Sequence, residues 1–333
     1  MLQDLIITTL KGQGNIIRSF FWLGLWLFGL GVLLSYLMRW WPGERILTVR
    51  LTNYLMPWLL IGLVPGLIMA GMANRKWLAV TLLVPTILIG FTYVQLFFPR
   101  PSIATNNRGH LKIMSYNVWR NNKNIIAVAK VVEKVNPDIL LLQELKPSRV
   151  HELLGALANL YPDTELHFAY EAQMLQAVIG RYPLVPLEAL PKKGRAQKVL
   201  TKTPNGPITI FNIHAHLNGW LRRHHQIAAL LAEDIAAVDG PVILGGDFNT
   251  TDQTQTYKLV SQYLHDAHWV AGYGFGFTFP SPIFRFKGKV PIPSLVRIDH
   301  IFYSDHFTPI RAGTLTESGG SDHLPVVAEF LKD

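Results

Sequence analysis

Residues 241–249 read PVILGGDFN. Pro241–Leu244 is an unbroken apolar run, as expected of a strand buried on both faces. The stretch then ends on two polar groups, Asp247 and Asn249. Read alone, it fits a turn in which one of them caps a following helix. Working outward, the same plan recurs. KIMSYN ends at Asn117, DILLLQE at Glu144 and ITIFNIH at His214. Sheets gather strand tips along common edges, and rigid strands hold tip residues in fixed geometry.

Helical patterns alternate with these strands. Ile125, Val128, Ala129, Val132 and Val135 recur at helical spacing, and Asn136-Pro137 ends that helix. Ser148 is placed to cap a second helix running to about Asn159, and Trp220–Val238 forms a third. Further strands are expected over Gln176–Ile179, Ala196–Thr201, Arg297–Tyr303 and Val326–Phe330. The pattern predicts a layered α/β domain.

The tips carry carboxylates, amides and imidazoles, joined late in the chain by Arg297-Ile298-Asp299-His300 and Ser321-Asp322-His323-Leu324-Pro325. The 333 residues contain no cysteine, which excludes disulfides and thiolate metal sites. Hard oxygen donors such as Glu144 suit Mg²⁺ or Mn²⁺ rather than zinc. Phosphate ester hydrolysis needs a positioned water, neutralisation of the phosphoryl charge and help for the leaving oxygen, and these groups supply each part.

The ordered set SYN, QE, NIH, GDFN, RIDH and GSDHLP resembles the endonuclease/exonuclease/phosphatase superfamily, over about Lys112–Phe330. The resemblance implies a four-layer α/β sandwich and water attack on a phosphate ester with a bound Mg²⁺ or Mn²⁺. It also implies roles. Glu144 holds the metal, with Asn117 and Asp322 beside it. Asp247 activates the water, and Asn249 positions Asp247 and the phosphate. His323 contacts the scissile phosphate, Asp299 fixes its tautomer, and His214 aids the leaving group. His216 competes with His214, since strand alternation would put both on one face; the family's Asn-X-His pattern selects His214. Two positions depart from the pattern: Gly180 stands where Ser is usual, and His300 where Tyr or an apolar residue is. His300 is expected to pack near Asp299. His224 and His225 read as a solvated helix face. Trp220, Arg222 and Arg223 read as a helix start, with substrate contact the alternative. The remaining histidines, at positions 110, 151, 167, 265, 268 and 306, carry no argument.

The first hundred residues are of another kind. Three apolar runs free of charge, Ser19–Met38, Thr52–Ala73 and Trp77–Phe98, are each long enough to cross a bilayer as a helix. Arg18, Arg39, Arg50, Arg75, Lys76 and Arg100 flank them, with Trp and Tyr near their ends. The expected organisation is a three-helix transmembrane anchor over 1–98, a linker over 99–110 and the catalytic domain over 111–333. The resemblance extends to a bacterial membrane-bound branch, implying a multi-pass inner-membrane protein. A slight charge bias (Lys11, Arg18, Arg75 and Lys76 against Arg39, Arg45 and Arg50) puts the catalytic domain outside the cytoplasm.

Of the net charge of +9, +7 lies in residues 1–108; residues 109–333 hold 22 Lys and Arg against 20 Asp and Glu. The catalytic part therefore lacks the basic character that tracks a nucleic-acid backbone. The loop Ala271–Val296, with Phe275, Phe277, Phe279, Phe284, Arg285, Phe286, Lys287 and Lys289, fits base stacking, a lipid headgroup layer or packing on its own domain. Three functions follow: an enzyme on a phosphate-containing lipid or lipid-linked envelope precursor, a nuclease, or an inactive membrane scaffold. Membrane lipids are expected neighbours, and no protein partner is implied.

Overall fold

The computed structural model describes residues 2–98, 110–158, 166–187, 196–217, 219–286 and 290–332. The linker expected over 99–110 lies outside these residues except for His110, as do Asn159, Lys287 and Lys289. The chain divides into two compact units, residues 1–95 and 96–333.

The first unit contains four helices: α1 Leu2–Met38, α2 Leu47–Tyr54, α3 Met56–Met72 and α4 Lys76–Tyr93. Asn15–Met38 and Lys76–Phe97 are each long and apolar enough to cross a membrane; α2 and α3 pass the same test only as a pair bent by 88°. The second expected run is thus two helices meeting at Leu55. Phe20, Leu27 and Leu34 of α1, Ile61 and Ile68 of α3, and Ile87 and Phe91 of α4 turn outward, while Leu63, Leu82 and Ile89 are fully buried. Helices apolar on all sides suit a lipid surround.

The second unit is built on two six-stranded sheets. Its strands are β1 His110–Asn117, β2 Ile139–Gln143, β3 His167–Glu171, β4 Gln176–Gly180, β5 Leu184–Pro186, β6 Gln197–Thr203, β7 Gly206–His214, β8 Val242–Asp247, β9 His265–Asp266, a short hairpin of β10 Arg285–Phe286 and β11 Val290–Pro291, β12 Asp299–Tyr303, β13 Phe307–Thr314 and β14 Val326–Lys332. One sheet has the order β13-β14-β1-β2-β4-β3 and the other β5-β6-β7-β8-β12-β9. β1 with β2 and β7 with β8 are parallel. Their crossovers carry α5 Ile125–Val135 and α7 Trp220–Leu230.

Between the sheets lies a core of Ile113, Leu141, Val178, Val199, Ile210, Ile243, Ile301 and Phe330. On the outer face of the first sheet, α5 and α6 (Pro147–Leu157) cover Met114, Leu140 and Leu142 with Val128, Val132 and Leu153. On the outer face of the second, α7 and α8 (Gln255–Val260) cover Phe211, Leu244 and Phe302 with Ile227, Tyr257 and Val260. Helix, sheet, sheet, helix: this is the four-layer α/β sandwich.

Local differences from the expected elements have physical reasons. α6 starts on Pro147, whose missing N–H costs nothing at the first helical position, so Lys146 and not Ser148 is the N-cap. α7 passes after Leu230 into a π-helical turn, Leu231–Ile235, and stops short of Val238. The helix after GDFN is capped by Thr254, which accepts from Tyr257 N, leaving Asp247 and Asn249 free of capping duty. Asn136 ends α5 in the left-handed conformation, as the sequence implies.

Candidate active site

Strand register gathers the polar tips. His214 and Asp299 both stand opposite Asp247, so β8 carries its carboxylate between an imidazole and a second carboxylate. In the other sheet Asn117 stands opposite Gln143, which puts Glu144 one residue past the same edge. Gly245 and Gly246 explain the GG before Asp247. A Cβ on Gly245 would come within 2.6 Å of Leu141 Cδ1 from the facing sheet, and one on Gly246 within 1.9 Å of Ile213 O.

The sheets are tied together beneath these tips by buried amides. Gln143 Nε2 donates to Asn212 Oδ1 at 2.7 Å, and Asn212 Nδ2 donates to Leu142 O at 2.9 Å and Ala177 O at 3.0 Å. This clamp went unassigned in the sequence, although QE and NIH contain both residues. Glu144 and Asn249 take positive φ values of 61° and 49°, conformations that concentrate at functional sites.

All eight expected residues meet at this edge. Asn117 Nδ2 donates to Asp247 Oδ2 at 3.0 Å and lies 3.5 Å from Glu144 Oε1. Arg120 N donates to Glu144 Oε2 at 2.8 Å. His214 Nε2 lies 3.6 Å from Glu144 Oε1 and 3.7 Å from Asp247 Oδ2. Asn249 N donates to Asp247 Oδ1 at 2.8 Å, while its side chain donates to Ala215 O at 2.9 Å. His323 Nδ1 pairs with Asp299 Oδ2 at 2.9 Å. Its Nε2 lies 3.8 Å from Asp247 Oδ2 and 3.9 Å from Asp322 Oδ1.

His216 does not share this surface. β7 ends at His214, so alternation no longer governs residue 216, which is exposed. Arg223 is buried rather than solvated and donates to His216 O at 3.0 Å. His224 is half-buried and bonds Thr256 Oγ1 at 3.1 Å. His300 packs as expected, against Phe248 and Tyr257, with Nε2 2.9 Å from Thr250 O.

Several supporting residues were missed. Thr278 Oγ1 accepts from Ile298 N and Asp299 N, the Phe279 ring lies 4.9 Å from that of His323, and Ser321 Oγ donates to Asn117 O at 2.6 Å while accepting from His323 N. Behind them Arg297 is buried in an ion pair with Asp266 at 2.8 Å and lies 3.4 Å from Asp252. Apart from the Ser321–His323 bond, no local pattern marks these contacts, because they join segments remote in sequence.

Electrostatics divides the site in two. Burial alone would lower the His323 imidazole, but Asp299 and Asp247 outweigh it and hold its pKa up to about 10. Burial raises Asp247, against the pull of His323 and with the push of Asp299. Asp322 is pushed up to about 6, by burial first and also by Glu144, against the pull of His323. Its Oδ1 is buried with no hydrogen-bond partner among the described residues.

Two groupings offer donors to a cation. Ligand atoms of Asp247, Asp299 and His323 lie within 4.8 Å of one another. In that group, however, His323 Nδ1 and Asp299 Oδ2 are already engaged with each other at 2.9 Å. The better match is Glu144 and Asp322, with Glu144 near enough to push Asp322 up and the Asn117 amide between Glu144 and Asp247. A buried carboxylate oxygen with no hydrogen-bond donor among the described residues, close to a second carboxylate, suits a hard divalent cation.

A family model described as "Endonuclease/Exonuclease/phosphatase family" matches residues 114–323. Among solved structures, the chain is similar to an endonuclease/exonuclease/phosphatase from Bacteroides vulgatus (17% identity, covering 67% of this chain and 99% of that one, TM-score 0.53). It is also similar to a family protein from Bacteroides thetaiotaomicron (24% identity, 67% and 98% covered, TM-score 0.54). A third is the mannosyl-6-phosphatase of Bacteroides thetaiotaomicron VPI-5482 (24% identity, 66% and 99% covered, TM-score 0.52). No curated protein matches the chain. The family match takes in the tips of β1, β2, β7, β8 and β12 together with Asp322 and His323, and this chain belongs to the endonuclease/exonuclease/phosphatase family of phosphoester hydrolases.

Proposed function

We propose that the chain is a membrane-anchored, Mg²⁺- or Mn²⁺-dependent hydrolase that cleaves a phosphate ester by direct attack of water. The observation that carries this reading is the meeting of His214, Asp247 and the His323–Asp299 pair within hydrogen-bonding or near-contact distances at one sheet edge. Asp247, its carboxyl raised by burial, takes the proton of the attacking water. Asn249 fixes Asp247 through its backbone N–H. His323, kept charged by Asp299, donates from Nε2 to a phosphoryl oxygen. The water oxygen bonds to phosphorus, the P–O bond to the alcohol breaks, and His214 aids proton delivery to the departing oxygen. Glu144, Asn117 and Asp322 would hold the cation, which supplies charge neutralisation on the phosphoryl group.

The substrate we favour is a phosphate-containing lipid or lipid-linked envelope precursor. Two or three apolar helices precede the catalytic unit, and that unit has almost no net charge to track a polyanion. The corresponding location is the bacterial inner membrane, with residues 1–98 as anchor and the catalytic part outside the cytoplasm. The test is to offer the full-length protein in detergent, with Mg²⁺ or Mn²⁺, bis-p-nitrophenyl phosphate, plasmid DNA and phospholipids including polyprenyl phosphates. Metal-dependent turnover of the lipids, lost in Glu144→Ala and His323→Ala, supports the reading. Preference for DNA would replace the lipid with a nuclease substrate. No turnover by the folded protein on any of them would favour an inactive scaffold.

A further inference from the structure

Trp119 has φ of 59°, a backbone conformation that bulky residues rarely adopt. It stands two residues past Asn117, whose Oδ1 accepts its N–H at 3.0 Å, and one residue before Arg120 N, which holds Glu144. The backbone therefore turns Trp119 out at the very point where it bonds the metal-side residues. Its half-buried ring lies 6.3 Å from that of Phe284. Phe284 sits in the turn leading to the β10–β11 hairpin, and that turn is fastened to the other side of the same cluster. Phe284 N donates to Ser281 O at 3.3 Å, and Ser281 N donates to Asp322 O at 2.7 Å. Ile283 beside it is exposed.

Trp119 and Phe284 thus join the loop that positions Asn117 and Glu144 to the loop that positions Asp322, and Ile283 and Phe284 expose apolar surface there. The two rings are tilted 60° to each other and do not form a parallel slot for a flat base. The nearly neutral catalytic unit speaks in the same direction, and the same chain carries helices long and apolar enough to cross a membrane.

The geometry points to Trp119, Ile283 and Phe284 as the specificity-determining surface that receives the hydrocarbon chain of a phosphate ester lipid. This rests on the hydrolase reading above. It predicts a preference set by chain length at a fixed leaving group.

Full-length protein in detergent with Mn²⁺ is assayed on methyl p-nitrophenyl phosphate and decyl p-nitrophenyl phosphate, where the same bond breaks and the same ion is released. The wild type is expected to favour the decyl ester by about tenfold or more in kcat/KM, equivalent to burial of about two methylenes. In Trp119→Ala and Phe284→Ala the decyl-to-methyl ratio should fall toward one, and Phe284→Leu should restore most of it. The ratio is insensitive to the fraction of folded enzyme, and its change between wild type and variant, assayed in the same detergent, is insensitive to partition of the decyl ester into micelles. An unchanged ratio in both alanine variants overturns the inference, as does the absence of a chain-length preference in the wild type. Thymidine 5′-(p-nitrophenyl phosphate) favoured over the decyl ester, with that preference lost in the variants, overturns it too and makes the wall a base platform. Turnover of neither simple ester nor the nucleotide would remove the hydrolase reading itself, and the inference with it.

Discussion

His323 Nδ1 lies 2.9 Å from Asp299 Oδ2, and this one contact decides what the other ring nitrogen does. With Nδ1 committed to a carboxylate, Nε2 is left to face Asp247 at 3.8 Å and Asp322 at 3.9 Å. Such pairing fixes the ring and favours the charged form. Asp299 is itself held by Thr278, which accepts its N–H.

Asp299→Asn should therefore keep the ring in place but lose the charge. The expected fall in kcat is about 10²-fold or more, within the usual range for a positioned proton-transfer or hydrogen-bonding group. In the proposed mechanism the imidazolium is the working form, and with its pKa held up to about 10, activity should fall as pH rises through that value. Removing Asp299 should move this alkaline limb to lower pH. A pH–rate profile whose alkaline limb stays in place would contradict the assignment.

Glu144→Gln should weaken the cation site without disturbing the fold. At a concentration 100 times its Kd, Mg²⁺ or Mn²⁺ should stabilise the wild type by about 2.7 kcal/mol. The variant should show little of that gain. Thermal melts with and without metal measure the difference independently of turnover. Chelation should abolish activity, and readdition should restore it.

Arg297 makes a prediction about folding rather than chemistry. It is buried with Asp266 and Asp252, and Arg297→Met leaves Asp266 without its cation. Breaking one side of a buried pair costs about 3–5 kcal/mol. A denaturant midpoint within experimental error of wild type would show that the network contributes nothing.

The same network gives an acid sensitivity through His268. Burial, helped by Arg297, lowers its pKa from 6.5 to about 4. Between these values the unfolded chain binds the proton more readily than the folded one, so stability falls as pH drops from 6.5 toward 4. The loss is at most about 3 kcal/mol for a shift of this size. His268→Gln should flatten this part of the stability–pH curve. Asp266, held well below the usual carboxylate range by Arg297 against the effect of burial, adds a further loss only below the ordinary carboxylate pKa.

The strands that carry the site were legible because each pairs an apolar run with a polar tip. β1, β2, β7 and β8 are the clearest, and their tips lie together. β3, β5 and β13 escaped notice. β5 is short, β3 is only partly buried, β13 contains Pro309 and Gly313, and all three lie at sheet edges, where burial imposes a weaker pattern. The second apolar run hid its bend, since composition reports length and not direction, and only the backbone shows the 88° turn at Leu55. The Gln143–Asn212 clamp and Thr278 were beyond reach for a different reason. Their hydrogen bonds cross between segments that only the completed fold brings together.

In the proposed mechanism Asp247 activates the attacking water. Its most direct test is the single-turnover rate of Asp247→Asn on bis-p-nitrophenyl phosphate, at saturating Mn²⁺, with full-length protein. The carboxylate is lost while the side chain keeps its size. The expected fall is about 10²–10⁴-fold, with the metal-dependent rise in thermal stability retained. A variant that turns over within a fewfold of wild type would contradict it, and the water would need another base.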